Sequence, residues 1–282
     1  MPADAPRLLV IRRRYLGDIV LLGPVFHNLR LHWPDARIFT LTEALYADVL
    51  SLNPDVDEAL VFPRRLAEWP TFLRALRAAR ITHVLDFDNT EKTAVVTRLS
   101  GARRRVAFHR ELIPFRWRRL YTDVVKVTNA FYESHPITEN YLRLLAPLDV
   151  PVTSREVRLV PRPEDVAFAQ KIAPRGERKV LLHPGSRSAF RLWPAERFAT
   201  VCDRLQDELE AQIFVVAGPH EQAFVQQIRS RAKTHLVALD GVLTVGQFAA
   251  LVAQFDLFLC HDSGPMHIAA SVGTRVVALF GS

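Results

Sequence analysis

The stretch Leu257-Phe258-Leu259-Cys260-His261-Asp262-Ser263-Gly264-Pro265-Met266-His267-Ile268-Ala269-Ala270 carries the plainest structural signal in the chain. Its first four residues are apolar and then give way to polar and small ones, the pattern of a short buried strand. Asp262, Ser263 and Gly264 follow and open a helix of small residues. The unpaired N–H groups of that helix's first turn would point to where the strand ends, a place suited to an anion. The plainer alternative is an Asp or Ser N-cap with His267 satisfied in the core, and it accounts poorly for the concentration of small residues.

The same strand–turn–helix grammar recurs on both sides of this stretch. Strands are expected at 8–11, 38–41, 59–62, 83–87 and 106–108, with helical stretches such as 19–32 and 69–79 among them. A joining stretch is marked by Pro147, Pro151, Pro161 and Pro163. Beyond it, strands are expected at 180–183, 213–217, 236–239, 257–260 and 276–280, separated by helical stretches near 194–208, 221–231, 245–253 and 266–272. Strand–helix alternation implies parallel sheets covered by helices on both faces. Two such series imply an α/β protein of two Rossmann-like, doubly wound domains, 1–155 and 156–282, with a cleft between them. The chain stops at Gly281-Ser282, straight after a strand. A helix would be expected there to cover the sheet, so the second domain is expected to be incomplete at its end.

Composition narrows the class. A length of 282 residues suits two domains, and 49% hydrophobic with 24% charged residues is a globular composition. No stretch reaches the roughly 18 consecutive apolar residues of a membrane span. Arg7 and Arg12-Arg13-Arg14 flank a short apolar run, which does not read as a signal peptide. Cys202 and Cys260 both sit in apolar segments and are expected to be buried free thiols in a reducing cytoplasm. The net charge is +7, and eight arginines between Arg98 and Arg119 face the single acid Glu111. A solvated basic face would explain them. So would a surface for something anionic, since arginine meets phosphate and carboxylate with two prongs. Arg103, Arg104 and Arg105 are the expected contacts to an anionic acceptor. No nucleic-acid module accompanies them, and nucleic acid is not expected as a partner.

Several residues stand where strands run into helices. In Leu16-Gly17-Asp18, Asp18 is placed at a helix N-terminus on the ligand side of the sheet; it reads as an N-cap or as a general base. His183-Pro184-Gly185-Ser186-Arg187 follows a strand, and Arg191-Leu192-Trp193-Pro194 opens a helix, so Ser186, Arg187 and Arg191 could meet phosphate. Glu221 closes Ala217-Gly218-Pro219-His220-Glu221 and reads as a ribose contact or a first-turn acid. Asp86-Phe87-Asp88 has the Asp-x-Asp form of a metal pair, but it lies far in sequence from the phosphate loops, and no metal is expected. The chain has no His-Glu-x-x-His, no Cys/His ligand spacing, no Gly-x-Ser-x-Gly and no Gly-x-x-x-x-Gly-Lys.

Taken in order, Leu-Val-Ile-Arg…Leu-Gly-Asp-Ile-Val…Gly-Pro, His-Pro-Gly-Ser…Arg-Leu-Trp-Pro, Ala-Gly-Pro-His-Glu and His-Asp-Ser-Gly-Pro-Met-His-Ile-Ala-Ala…Leu-Phe-Gly resemble glycosyltransferase family 9, the ADP-heptose:lipopolysaccharide heptosyltransferases. The resemblance covers most of the chain. It implies a GT-B arrangement in which the first domain binds an anionic glycolipid acceptor and the second an ADP-sugar. It also implies inverting transfer without metal or cofactor, in the cytoplasm or peripherally on the inner face of the inner membrane. Asp18 matches the family's base. Ser186 and Arg191 match donor-phosphate contacts, Glu221 a ribose contact, and Asp262, Ser263, Gly264 and His267 the donor loop. Members of the family run several tens of residues past Leu-Phe-Gly, and Phe190 and Leu192 depart from the polar neighbours common there. A sugar-nucleotide epimerase and a non-catalytic nucleotide-binding envelope-assembly protein are the alternative readings.

Overall fold

The computed structural model describes residues 5–173, 178–186, 192–218, 221–239 and 241–281. The chain forms two compact units, Met1–Arg158 and Leu159–Ser282. In the first, β1 (Arg7–Ile11), β2 (Arg37–Thr42), β3 (Glu58–Val61), β4 (His83–Asp86), β5 (Arg104–Arg110) and β6 (Asp123–Val127) make one sheet in the order β3-β2-β1-β4-β5-β6. Every pairing is parallel. In the second, β7 (Lys179–His183), β8 (Gln212–Val216), β9 (Leu236–Leu239), β10 (Leu257–His261) and β11 (Arg275–Leu279) pair in parallel in the order β11-β10-β7-β8-β9. Numbered within its own unit, each sheet begins 3-2-1-4-5, the doubly wound order.

Parallel strands are covered on both faces, so their residues must be apolar without alternation. Leu8, Leu9, Val10 and Ile11 of β1 are all buried, and β7 carries the equivalent run Val180, Leu181 and Leu182. One face of the first sheet packs Leu9, Ile11, Phe39 and Leu41 against Phe72 and Leu76 of the helix Trp69–Ala78. In the second sheet, Val180, Leu182, Ile213 and Val215 pack on Phe198, Ala199 and Cys202 of the helix Ala195–Leu209.

Two expectations need correction. The stretch 19–32 is not one helix but two, Leu16–Val20 and Gly23–His32. Pro24 has no N–H to donate to the carbonyl of Val20, and its ring collides with that carbonyl, so the helix breaks there and restarts. The first unit also has a sixth strand, β6, whose Val124, Val125 and Val127 are β-branched but set between charged residues. Cys202 and Cys260 are free and buried, and burial raises each thiol to about 12. No helix of the described residues is long and apolar enough to cross a membrane.

Buried Asn28, in the helix Gly23–His32, fastens the end of the first unit. Its Oδ1 accepts from the N–H groups of Thr153 and Ser154, and its Nδ2 donates to the carbonyls of Pro24 and Ser154. Asn28→Ala strands those groups and should cost about 2 kcal/mol of stability. Urea unfolding of wild type and variant measures it, and a loss within experimental error would show that the 153–154 segment is not held by this side chain.

Candidate functional site

In a doubly wound sheet, ligands bind beyond the carboxyl ends of the strands where the strand order reverses. That switch point lies between β1 and β4 in the first unit and between β7 and β10 in the second. Each is occupied by polar side chains.

In the first unit, β1 and β4 pair in a register that sets Ile11 opposite Asp86, so the residues after each strand emerge side by side. Arg12 Nη2 lies 3.0 Å from Asp18 Oδ2, while Arg12 Nη1 donates to the Phe87 carbonyl at 3.1 Å and reaches Asp88 Oδ1 at 3.4 Å. The backbone N–H and Nε of Arg13 both donate to Asp88 Oδ2 at 3.1 Å. Tyr141 donates its hydroxyl to Asp18 Oδ1 at 2.8 Å and sets its ring 5.8 Å from the Arg12 guanidinium. Burial opposes the charge on Arg12, but the carboxylates of Asp18 and Asp88 outweigh it and hold Arg12 above its usual range. Burial also pushes the Tyr141 phenol up, so it stays protonated and donates. The Asp18 side chain keeps 27% of its surface exposed. The result is a carboxylate fixed on both oxygens yet open to solvent.

Asp18 is not the N-cap. Tyr15 holds that position, and Asp18 lies in the first turn of Leu16–Val20. The capping reading is therefore replaced by a carboxylate held by Arg12 and Tyr141.

Asp86-Phe87-Asp88 is accounted for by its neighbours. Asp86 is wholly buried: Oδ1 accepts from the N–H groups of Asp88 and Asn89, and Oδ2 accepts from the Tyr121 hydroxyl at 2.6 Å. These bonds shape the turn that offers Asp88 to Arg12 and Arg13, with Asn89 in the left-handed region at φ 47°. Among the described residues, no group of three His, Cys, Asp or Glu side chains is arranged to hold a metal ion.

In the second unit, Cys260 pairs with His183 across β10 and β7, which sets His261 near the Pro184-Gly185 turn. Trp193 donates its backbone N–H to His261 Nε2 at 2.9 Å, making that nitrogen the unprotonated one. Glu221 Oε2 accepts the Gly218 N–H at 2.7 Å and lies 3.5 Å from His183 Nε2. Burial lowers the pKa of both histidines, so both are neutral imidazoles at neutral pH. A Cβ on Gly185 would collide with the Glu221 carboxylate, so the glycine leaves that carboxylate its place beside His183. Glu221 is the N-cap residue of the helix Gln222–Arg229, although its side chain makes no capping bond. Ser263 is the N-cap residue of Gly264–Ser271, also without a side-chain cap, and its buried Oγ has no hydrogen-bond partner among the described residues. Asp262, Gly264 and His267 belong to the same turn and helix, and Ser186 follows Gly185. The structure thus brings Ser186, Glu221, Asp262, Ser263, Gly264 and His267 to one end of the second sheet. Arg191 and Arg187 lie outside the described residues.

Arg103, Arg104 and Arg105 are not brought to Asp18. Arg104 opens β5 opposite His83, the first residue of β4, so all three stand at the amino end of the sheet and Asp18 at the carboxyl end. Arg104 is also paired with Asp123 and bonded to the Pro147 carbonyl, and Arg105 donates to the carbonyls of Leu120 and Ala102. Any contact of these three with an anionic acceptor would therefore lie apart from Asp18. Arg12 and Tyr141 are the residues that sequence reasoning passed over. The first was legible as the residue straight after β1; the second, 123 positions from Asp18, carries no local signal.

The glycosyltransferase family 9 (heptosyltransferase) model matches residues 69–282, and the chain belongs to that family of sugar-transferring enzymes. Lipopolysaccharide heptosyltransferase 3 of Escherichia coli is 28% identical over 95% of this chain and 82% of its own length. A family 9 glycosyltransferase of Veillonella parvula superposes with a TM-score of 0.88 at 24% identity, covering all of this chain and 83% of that one. The Escherichia coli ADP-heptose lipopolysaccharide heptosyltransferase II does so with a TM-score of 0.78 at 22% identity, over 96% and 84%.

The buried Asp86 gives the first unit a pH dependence. Burial raises its pKa from 3.8 to about 6, so the folded chain holds this proton more tightly than the unfolded chain does. The corresponding stabilisation is fully present below pH 3.8 and is lost as pH rises through about 6. Over that window wild type should lose roughly 3 kcal/mol relative to Asp86→Asn, which cannot titrate. Urea unfolding of both proteins across the window measures the difference, and parallel stability curves would contradict the assignment.

Proposed function

We propose that this chain transfers heptose from ADP-heptose to a hydroxyl of a lipopolysaccharide core acceptor, with inversion and without a metal ion. The observation that carries the reading is the partly exposed Asp18 carboxylate at the switch point of the first sheet, oriented by Arg12 and Tyr141. Family membership supplies the reaction class, and the Escherichia coli heptosyltransferase solved with ADP-2-deoxy-2-fluoro heptose supports the donor.

In this reading the first unit binds the acceptor and the second the donor. The acceptor hydroxyl gives its proton to Asp18 as its oxygen bonds to the anomeric carbon. On the opposite face, the bond from that carbon to the diphosphate oxygen breaks, and the electron pair leaves with ADP. A single displacement of this kind needs a base and no protein nucleophile. Arg12 and Tyr141 together fix the direction of the Asp18 carboxylate.

The departing diphosphate gains negative charge, which the start of Gly264–Ser271 is suited to receive. Its N-cap residue, Ser263, makes no side-chain capping bond, and the Ser263 Oγ is unpaired among the described residues. Ser186, Arg191, Asp262, Gly264 and His267 are proposed to line the donor phosphates and sugar, and Glu221 to accept from the ribose. The proposed location is the cytoplasm, at the inner face of the membrane that carries the acceptor.

Asp18→Asn separates this role from a structural one. The amide keeps the shape but cannot take the proton, so kcat should fall at least about 100-fold, the lower bound for losing a general base. ADP binding in excess EDTA, followed by thermal shift, should be unchanged. Near wild-type turnover of the folded variant at saturating acceptor would remove Asp18 from the mechanism.

A further inference from the structure

The arginine-rich connection between β5 and β6 has a construction that the transfer reaction does not use. β5 ends at Arg110, at the same carboxyl edge of the sheet as Asp18 and Asp88, and the chain then turns sharply. The Ile113 N–H donates to the Arg110 carbonyl, and the His109 ring bonds the Ile113 carbonyl at 2.8 Å and stacks on Phe115. The turn is thereby braced, and it holds two apolar side chains out in solvent: Leu112 is 71% exposed and Ile113 55%.

From there the chain runs back across the sheet as a strap. Phe115, Trp117 and Leu120 turn inward onto Ala94, Ala107 and Tyr121. Arg116, Arg118 and Arg119 point outward and have no carboxylate partner among the described residues. The nearby acids are already neutralised, Glu111 by Lys126 and Glu133 by Arg110. The helix Glu91–Leu99 packs beside the far end of the strap and adds exposed Arg98, with Val95 40% and Leu99 49% exposed.

We infer that this strap and its apolar turn dock the first unit on an anionic lipid bilayer, with Leu112 and Ile113 entering the headgroup–acyl boundary and the outward arginines meeting lipid phosphates. Apolar side chains held out beside unpaired cations are the two features that interfacial membrane contact combines. Binding single-stranded nucleic acid calls instead for exposed aromatic rings on which bases stack, and here Phe115 and Trp117 are turned into the core. Because the turn shares the sheet edge that presents Asp18, a bilayer contacted there lies on the side from which a membrane-held acceptor would approach. That last consequence rests on the proposed transfer; the lipid contact does not.

Flotation of the protein with phosphatidylcholine vesicles, with and without phosphatidylglycerol, tests the contact with no donor or acceptor present, so it can fail independently of the transferase reading. The anionic vesicles should bind at least about tenfold more protein, and high salt should abolish the difference, because exposed charges are screened over roughly a Debye length. The pair Leu112→Ser and Ile113→Ser should lower binding about tenfold, as should Arg116→Ser with Arg118→Ser and Arg119→Ser, provided each variant keeps its thermal unfolding midpoint. As an independent readout, Ile113→Cys can be labelled with a polarity-sensitive fluorophore, since both native thiols are buried. Its emission should shift to the blue on anionic vesicles. Equal binding to both vesicle types, an unshifted label, or tighter binding to a single-stranded RNA homopolymer than to vesicles would overturn the inference.

Discussion

The ion pair between Arg12 and Asp18 is the interaction on which the reading of this protein turns. A lone carboxylate in the first turn of a helix is ambiguous; one held on both oxygens and still 27% exposed is a group aimed in one direction. Its supports form a chain of their own. Asp88 and the Phe87 carbonyl hold Arg12, Asp86 shapes the turn that presents Asp88, and Tyr121 completes the hydrogen bonding of Asp86. Four parts of the first unit, the ends of β1 and β4, the approach to β6 and Tyr141, are thus committed to placing one side chain. Partly exposed ion pairs add little to stability, so this arrangement is better understood as geometry than as a source of folding energy.

The topology explains why such a cluster can exist twice. Parallel pairing brings every strand's carboxyl end to one edge, and the reversal of order beside the first strand leaves a crevice there. The first unit fills its crevice with paired charges, Arg12, Arg13, Asp18 and Asp88. The second fills its own with neutral imidazoles, a glycine turn and the start of a helix whose N-cap residue, Ser263, makes no side-chain capping bond. In the proposed reaction the first serves proton transfer and the second anion binding, the division that sugar transfer from a nucleotide diphosphate would use.

Much of this was legible in the sequence because strands buried on both faces are unbroken apolar runs. Nearly all expected strands fall within a residue or two of the observed ones, from Leu8 to Leu279. The missed strand, Asp123–Val127, lies near the sheet edge and mixes valines with Asp123 and Lys126, so its apolar run is broken. The divided helix was signalled by Pro24 and needed only its steric consequence drawn. Candidate site residues in the turns and first helical turns that follow strands, such as Asp18, Glu221 and Ser263, could be picked out by position. Tyr141 could not, because only the folded topology brings it to Asp18. The arginines show a different limit. A run from Arg98 to Arg119 gives the sign of the charge but not its place, and β5 divides that run between opposite ends of the sheet.

The central claim, that Asp18 is a base whose direction is set by Arg12 and Tyr141, meets its most direct test in the kcat of Tyr141→Phe at saturating acceptor. The variant keeps the ring beside Arg12 and loses only the hydrogen bond to Asp18 Oδ1. Without that bond the carboxylate is free to turn from the acceptor hydroxyl, and kcat should fall by about tenfold or more while ADP affinity stays at the wild-type value. A folded variant with undiminished kcat would contradict the account.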